Sequence, residues 1–458
     1  MGIKVYNPYD QSLVCELPHD QGDALERKIE AACRAHVVWR KLSLDQRIKQ
    51  VKKGLENFRR AGEEIALQIT QQMGKPIAQS CREVDTFFER ADYMMSIAKK
   101  TLAAEKLPPK RGFVRRIEHV PWGVVLNMGA WNYPLLIPVN VIVPSLLAGN
   151  VVLLKHSAQT PLCGRQFEKA FGELETPHLV TSLILTHQQT ERLVMDPRVK
   201  HVAFTGSVEG GHKIYQQAAR RFIDAGLELG GKDPAYIAED ADLDFAVANV
   251  VDGACYNAGQ SCCAVERIYV HRRLYAPFLE KTAALLAQYR LGDPMKETTT
   301  MGPLATRAAL DELEEKVAEA QNLGARLIMG GRRLATRGNF FPPTLLANVV
   351  NHSRIMQEES FAPILPVHPV KDDDEALARM NDTVFGLTAS VWTRSAKRAE
   401  RFARDLDAGT IYQNRCDYLD PALPWTGARD SGKGSTLSRY GFYQLTRRKS
   451  IHFRVGEA

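Results

Sequence analysis

The 458-residue chain is 45% hydrophobic, 25% charged and 8% aromatic, which argues against a disordered, collagen-like or disulfide-scaffold protein and allows a substantial core. Its 60 Lys+Arg against 53 Asp+Glu leave a formal charge of only +7. Basic pairs such as Arg115-Arg116, Arg332-Arg333 and Arg447-Arg448 are scattered rather than clustered, so no nucleic-acid partner is expected.

At roughly 150 residues per domain, the length suggests about three domain-sized pieces. The segment from Met1 to Tyr6 has no apolar signal core, and Tyr6 stands where a myristoylation signal wants Ser or Thr. Residues 21–105 read as mostly helical: Ile48, Val51, Leu55 and Phe58 recur at three- and four-residue spacing. Gly74-Lys75-Pro76 interrupts this region, and a helical pattern resumes over 85–102. From Arg111 the period changes, and 113–120 reads as an exposed strand. Residues 121–154 carry no charge and are long enough to span a bilayer. They also carry Asn127, Asn132, Asn140 and Asn150 among Pro121, Pro134, Pro138 and Pro144. Such a segment would leave backbone groups unpaired in lipid, so buried strand, loop and helix are expected and no membrane partner.

Short apolar runs at 124–127, 151–154, 179–185, 202–204 and 227–229 alternate with helical stretches such as 161–174 and 211–223. This alternation predicts a parallel sheet covered on both faces, in a doubly wound α/β cofactor domain. A second α/β block starts near Gly231, with strands at 268–270, 326–329 and 364–368 and helices at 243–254, 275–289, 307–322 and 396–406. A Gly-rich, then basic tail ends in a strand-like segment at 450–454. Eight cysteines are present, with no CxxC pair and no Cys/His set at zinc spacing. Reduced thiols in a cytoplasmic setting and no metal are expected.

Four local patterns bear on chemistry. In Gly259-Gln260-Ser261-Cys262-Cys263, a Gly-led turn can open a thiol to attack, although a buried structural cysteine reads the same way. In Leu227-Glu228-Leu229-Gly230-Gly231-Lys232, a carboxylate sits in an apolar run, where burial raises its proton affinity and suits a base. Phe204-Thr205-Gly206-Ser207 lies between a strand and a helix start, where backbone N–H groups suit a pyrophosphate, but the spacing is not GxGxxG. In Trp131-Asn132-Tyr133-Pro134, the Asn amide can donate to a developing oxyanion.

Together, and in this order, the patterns resemble the aldehyde dehydrogenase superfamily over nearly the whole chain. The match runs through Asn132, Lys155 in VVLLKHSAQTP, FTGS, LELGGK, GQxC and Glu359-Ser360-Phe361, with 34 residues from Glu228 to Cys262. The resemblance implies a Rossmann-like cofactor domain (1–107 and 121–230), an α/β catalytic domain (231–430) and a small β oligomerisation element (108–120 and 431–458). It implies oxidation of an aldehyde to the acid with NAD or NADP, through a thiohemiacetal and a thioester. Cys262 is then the nucleophile, Asn132 the oxyanion donor and Glu228 the base that activates water. Lys155, Ser157, Gly206, Ser207, Trp131, Glu359 and Phe361 would serve the dinucleotide. Tyr133, Ile137, Ser261 and Cys263 would line an apolar aldehyde tunnel.

Some positions depart from the family pattern. Ala158 stands where NAD-preferring members often carry Glu, which removes a repulsion against a 2′-phosphate. His156 replaces the Pro after the lysine, Ala130 the Pro before Trp131, and Ala362 a Gly. Arg415 is a candidate for a substrate carboxylate, as a semialdehyde would require. A CoA-acylating enzyme is the alternative that Glu228 disfavours, and a catalytically silent protein on the same fold is the alternative of another class. A homodimer or homotetramer is expected, with 113–120 and 450–454 adding to a neighbour's sheet.

Overall fold

The apolar runs of the first block become the strands Val124–Met128, Val151–Lys155, Val180–Ser182, Val199–Thr205 and Ala225–Glu228. A computed structural model describes residues 2–455; Met1 and 456–458, at the outer limits of the expected domains, lie outside the described residues. The sheet runs in the order Gly432–Lys433, Ala225–Glu228, Val199–Thr205, Val124–Met128, Val151–Lys155, Val180–Ser182. Its five longer strands are parallel and Gly432–Lys433 is antiparallel. From Val124–Met128 the chain winds one way to Val151–Lys155, and later returns to Val199–Thr205 on the other side. The crevice beyond the carboxyl ends of those strands is the switch point at which doubly wound sheets bind ligands.

Helices Gly22–Trp39, Leu44–Arg60, Gly62–Met73 and Ile77–Leu102 fill the predicted helical region. Ser43 and Gln46 form a reciprocal cap at the second of these, and Gly74 ends the third in the left-handed region (φ 81°). The uncharged segment folds as strand Val124–Met128, a loop, helix Leu136–Ala148 and strand Val151–Lys155. Among the described residues, no helix is long and apolar enough to cross a membrane.

The second sheet has the order Arg326–Met329, Thr344–Ala347, Ile364–Val370, Val265–His271, Asp233–Ile237, Thr388–Trp392, Thr410–Gln413, parallel except at the first pair. Each of these two sheets carries its own large apolar core.

Two expectations change. Phe113–Pro121 and Thr446–Arg454 pair with each other along their whole length, in a three-stranded sheet with Glu105–Lys106. They satisfy one another within the chain, which leaves the outer edge of Thr446–Arg454 unpaired among the described residues, while Glu105–Lys106 covers the other edge of Phe113–Pro121 only at Arg116 and Ile117. Residues 431–433, expected in the oligomerisation element, instead close the edge of the first sheet against Leu227 and Glu228.

Candidate active site

Cys262 follows helix Leu243–Cys255 and a short turn in which Asn257, Ala258 and Gly259 take φ values of 53°, 54° and 71°. Three left-handed residues in succession reverse the chain tightly. Only glycine fits the third, because a Cβ there would lie 2.3 Å from the Ala362 carbonyl carbon. Cys262 is half-buried, while Cys263 is buried. Cys263 donates to Asp417 at 3.0 Å and Ser261 donates to the same oxygen at 2.9 Å. The contact with Cys262, together with burial, holds the Cys263 thiol well above the usual range, so it stays protonated. Asp417, pushed up to about 7 by burial, bonds to the Cys263 side of this turn.

Asn132 reaches the same turn from the other domain. Its amide donates to the Gln260 carbonyl at 3.2 Å, leaving its second N–H for a ligand. Its main-chain carbonyl accepts from Lys75 Nζ at 2.8 Å and Asn257 Nδ2 at 3.1 Å. Lys75 is buried and paired with Glu83 at 2.5 Å, and the second Glu83 oxygen accepts from Leu135 N at 2.9 Å. His156, held near neutral form by burial (about 4), bonds Pro134 O at 2.9 Å. The loop carrying Asn132 is therefore pinned on both sides.

Glu228 ends strand Ala225–Glu228. Its carboxylate accepts from Thr205 Oγ1 at 3.2 Å and from Thr436 Oγ1. Burial raises its pKa above the usual carboxylate range, and the two hydroxyls partly oppose that. The glycines after it permit close approach: a Cβ at Gly231 would sit 2.4 Å from Cys262 O, and one at Gly230 2.4 Å from Glu359. Glu228, Cys262, Tyr133, Ile137, Ser261 and Cys263 all line one cavity of about 290 Å³. Asn132 is not among the lining residues; its side-chain amide reaches the Gln260 carbonyl, next to Ser261 and Cys262, and Tyr133 beside it lines the cavity.

The tunnel is not purely apolar, however. Arg82, Glu83, Arg90, Asp252 and Asp417 also line it. Arg415 does not; it is exposed and lies 3.4 Å above the Tyr418 ring.

The residues expected at the dinucleotide gather at the switch point. Lys155 ends its strand beside Met128. The Ser157 hydroxyl accepts from Gln159 N at 3.2 Å in the turn that follows. Ser207 caps helix Val208–Ala219, accepting from Gly210 N at 3.2 Å. Gly206 precedes it, where a Cβ would strike the Phe204 ring at 2.7 Å. Glu359 accepts from Gly231 N at 3.1 Å, and its carboxyl is pushed up to about 8 by burial and by Glu266. Trp131 meets Phe361 edge-on at 5.4 Å. Glu266 pins that turn by accepting from Ser360 N (2.7 Å), Phe361 N (2.8 Å) and Lys232 Nζ (2.5 Å). A lysine, the start of a twelve-residue helix, a half-buried carboxyl and an aromatic pair around the crevice fit a dinucleotide.

The sequence patterns did not point to Thr436, Glu83 or Arg90, or to the contact of Thr205 with Glu228 or the site role of Lys75. Of these, Thr205 lay within the Phe204–Ser207 pattern and Lys75 in the Gly-Lys-Pro break.

The model of the aldehyde dehydrogenase family matches residues 1–451. The chain belongs to the aldehyde dehydrogenase family. Among its relatives, an NAD(P)⁺-using succinate semialdehyde dehydrogenase of Escherichia coli is 33% identical, over 96% of this chain and 95% of the relative. The lactaldehyde dehydrogenase of Escherichia coli is 32% identical, over 99% of this chain and 95% of the relative. A solved succinic semialdehyde dehydrogenase from Streptococcus pyogenes, in complex with NADP⁺, superposes with a TM-score of 0.95 at 28% identity, covering 99% of this chain and 100% of that one. The protein is an NAD(P)-dependent aldehyde dehydrogenase that oxidises an aldehyde to its carboxylic acid.

Proposed function

We propose that Cys262, Asn132 and Glu228 carry out this oxidation in the 290 Å³ cavity they share or border. The Cys262 thiolate attacks the aldehyde carbon from the half-open side of its turn, and the carbonyl oxygen becomes an oxyanion. The free side-chain N–H of Asn132 serves that charge, and the Lys75 and Asn257 bonds to the Asn132 main-chain carbonyl fix beforehand the loop that carries it. When bound, the nicotinamide accepts the hydride that leaves the tetrahedral carbon. Cys262 then holds the acyl group as a thioester. Glu228 takes a proton from water, the hydroxide attacks the thioester, and the acid departs as the thiol is restored.

The observation that carries this reading is the placement of Glu228 and Cys262 in one cavity, with the Asn132 amide bonded to the Cys262 turn. The presence of a hydroxyl-held base supports hydrolysis over acyl transfer to CoA. Lys155, Ser157, Gly206, Ser207, Trp131, Glu359 and Phe361 hold the dinucleotide. Ala158, exposed three residues after Lys155, leaves room for a 2′-phosphate, so NADP is accepted as well as NAD.

Rapid mixing with saturating aldehyde tests the assignment. The Glu228→Gln variant is expected to give one equivalent of reduced cofactor per site and then a turnover slowed about 10²–10⁴-fold. Cys262→Ala is expected to give no burst. A full steady-state rate in Glu228→Gln, or a burst without Cys262, refutes it.

The unpaired outer edge of Thr446–Arg454 supports a homodimer or homotetramer, and eight free cysteines suit a reducing cytoplasm. Sedimentation as a monomer at micromolar concentration refutes the first.

A further inference from the structure

The wall of the aldehyde cavity contains a buried guanidinium that no carboxylate contacts directly. Arg90 lies on helix Ile77–Leu102 and is 7% exposed. Its Nη1 reaches Leu136 O and the Asn140 side-chain oxygen only at 3.4 Å each. Its Nε has no hydrogen-bond partner. Among the described residues, no carboxylate stands within ion-pair distance of it. A guanidinium carries five donors in a planar fork and keeps its charge when buried. Leaving one unmatched away from water is costly, so it needs a reason to be there.

The acids around the cavity are otherwise engaged. Glu83 is paired with Lys75. Asp417 accepts from Ser261 and Cys263. Glu228 is held by Thr205 and Thr436. Glu89 and Asp252, which also line the cavity, are exposed. Of the two arginines lining the cavity, Arg82 is exposed and Arg90 is buried, with Glu228 and Glu83 acting on Arg90 only from beyond ion-pair distance. That arrangement suits a singly charged, planar carboxylate, which matches the fork, and disfavours a doubly charged phosphate.

We propose that Arg90 is a substrate-specificity residue that binds the carboxylate of a short ω-oxo acid while the aldehyde end of the same molecule meets Cys262. This rests on the aldehyde-oxidising site described above and adds the substrate class. A cavity of about 290 Å³ admits a small molecule of this kind. Arg415, the arginine that the sequence offered for this task, lies outside the cavity.

The test compares two aldehydes of equal shape, 4-oxobutanoate and 4-methylpentanal, which differ in a carboxylate against an isopropyl end. The wild-type enzyme is expected to prefer the oxo acid in kcat/KM. Arg90→Met is expected to lose on the order of 10²-fold on the oxo acid, mostly in KM, because it forfeits charge-assisted hydrogen bonds. On 4-methylpentanal it should stay within about threefold of wild type, which also shows that the variant is folded. Arg90→Lys, with charge but no fork, should fall between them on the oxo acid. An equal loss on both substrates would make Arg90 a structural or Glu228-tuning residue and overturn the proposal. So would a wild-type preference for 4-methylpentanal, which leaves the aldehyde chemistry standing. No turnover of the oxo acid while another aldehyde is still oxidised refutes the substrate class alone.

Discussion

Thr436 donates to the Glu228 carboxylate from 208 residues away in the chain. The hydroxyl stabilises the charged form of a base that burial pushes toward its neutral form. Thr436→Val removes that donor and keeps the volume. A hydrogen bond to a charged group contributes about 1.5–3 kcal/mol. At 1.36 kcal/mol per tenfold, its loss raises the proton affinity of Glu228 by about 10- to 150-fold. Only ionised Glu228 can take a proton from water. Thioester hydrolysis in the variant should therefore fall by about 10- to 150-fold at any pH below the midpoints of both enzymes. It should converge on wild type above both midpoints. The assay is rapid mixing across a pH series, reading the burst of reduced cofactor as acylation and the later steady rate as deacylation. The burst should be unchanged, because Glu228 acts after it. A loss that is the same at every pH, or a steady rate that does not move, would show that Thr436 does not set the charge of Glu228.

Two further outcomes follow from the buried carboxylates. Lys75→Met strands the Glu83 charge in the interior and removes one of two donors to the Asn132 carbonyl, so it should destabilise the fold by about 3–5 kcal/mol. Adding Glu83→Gln should recover much of that in urea unfolding; no recovery in the double variant refutes the pairing argument. Asp417 is raised when folded, to about 7 from 3.8. The folded chain thus holds an extra proton between those values, and the stability this contributes is complete below 3.8 and lost as pH rises through about 7. Asp417→Asn cannot titrate, so its melting temperature relative to wild type should rise from pH 4 to 7 and level off above about 8. A constant difference would refute the raised value.

The proposed reacting groups stand out in the sequence because each sits where a strand or turn ends and local pattern is strong. Asn132 lies in an uncharged stretch, Glu228 in an apolar run before two glycines, and Cys262 after a Gly-led turn. The central strands were legible for the same reason, since burial on both faces makes them continuous apolar runs. Their support was not, because it is made by contacts distant in sequence. Lys75 and Glu83 reach Asn132 and Leu135 across 57 and 52 residues, and Ser431 reaches Gly230 across 201. The helix expected at 211–223 begins at Val208 because the Ser207 hydroxyl caps it, and ends at Ala219, short of Phe222 with its φ of 55°. Gly432–Lys433 is only two residues long, too short for any periodicity. The tunnel's polarity escaped because Arg90 lies on a helix whose pattern of alternating charge and apolar residues does not reveal which charge turns inward.

The buried carboxylates also explain how one site separates rigid support from proton transfer. Glu83 and Glu266 are each matched by a lysine at 2.5 Å and by backbone N–H donors. Such pairs hold a fixed charge and a fixed geometry, and they anchor the turns that carry Asn132 and Phe361. Glu228 is given only neutral hydroxyls and a distant guanidinium. Matched to a lysine, it would bind protons too weakly to take one from water; left with no donor at all, it would stay neutral. Two hydroxyls place it between those limits, where a carboxyl can gain a proton in one step and release it in the next. At this site, lysine partners accompany the acids that anchor the backbone turns, and hydroxyl partners accompany the acid proposed to move a proton.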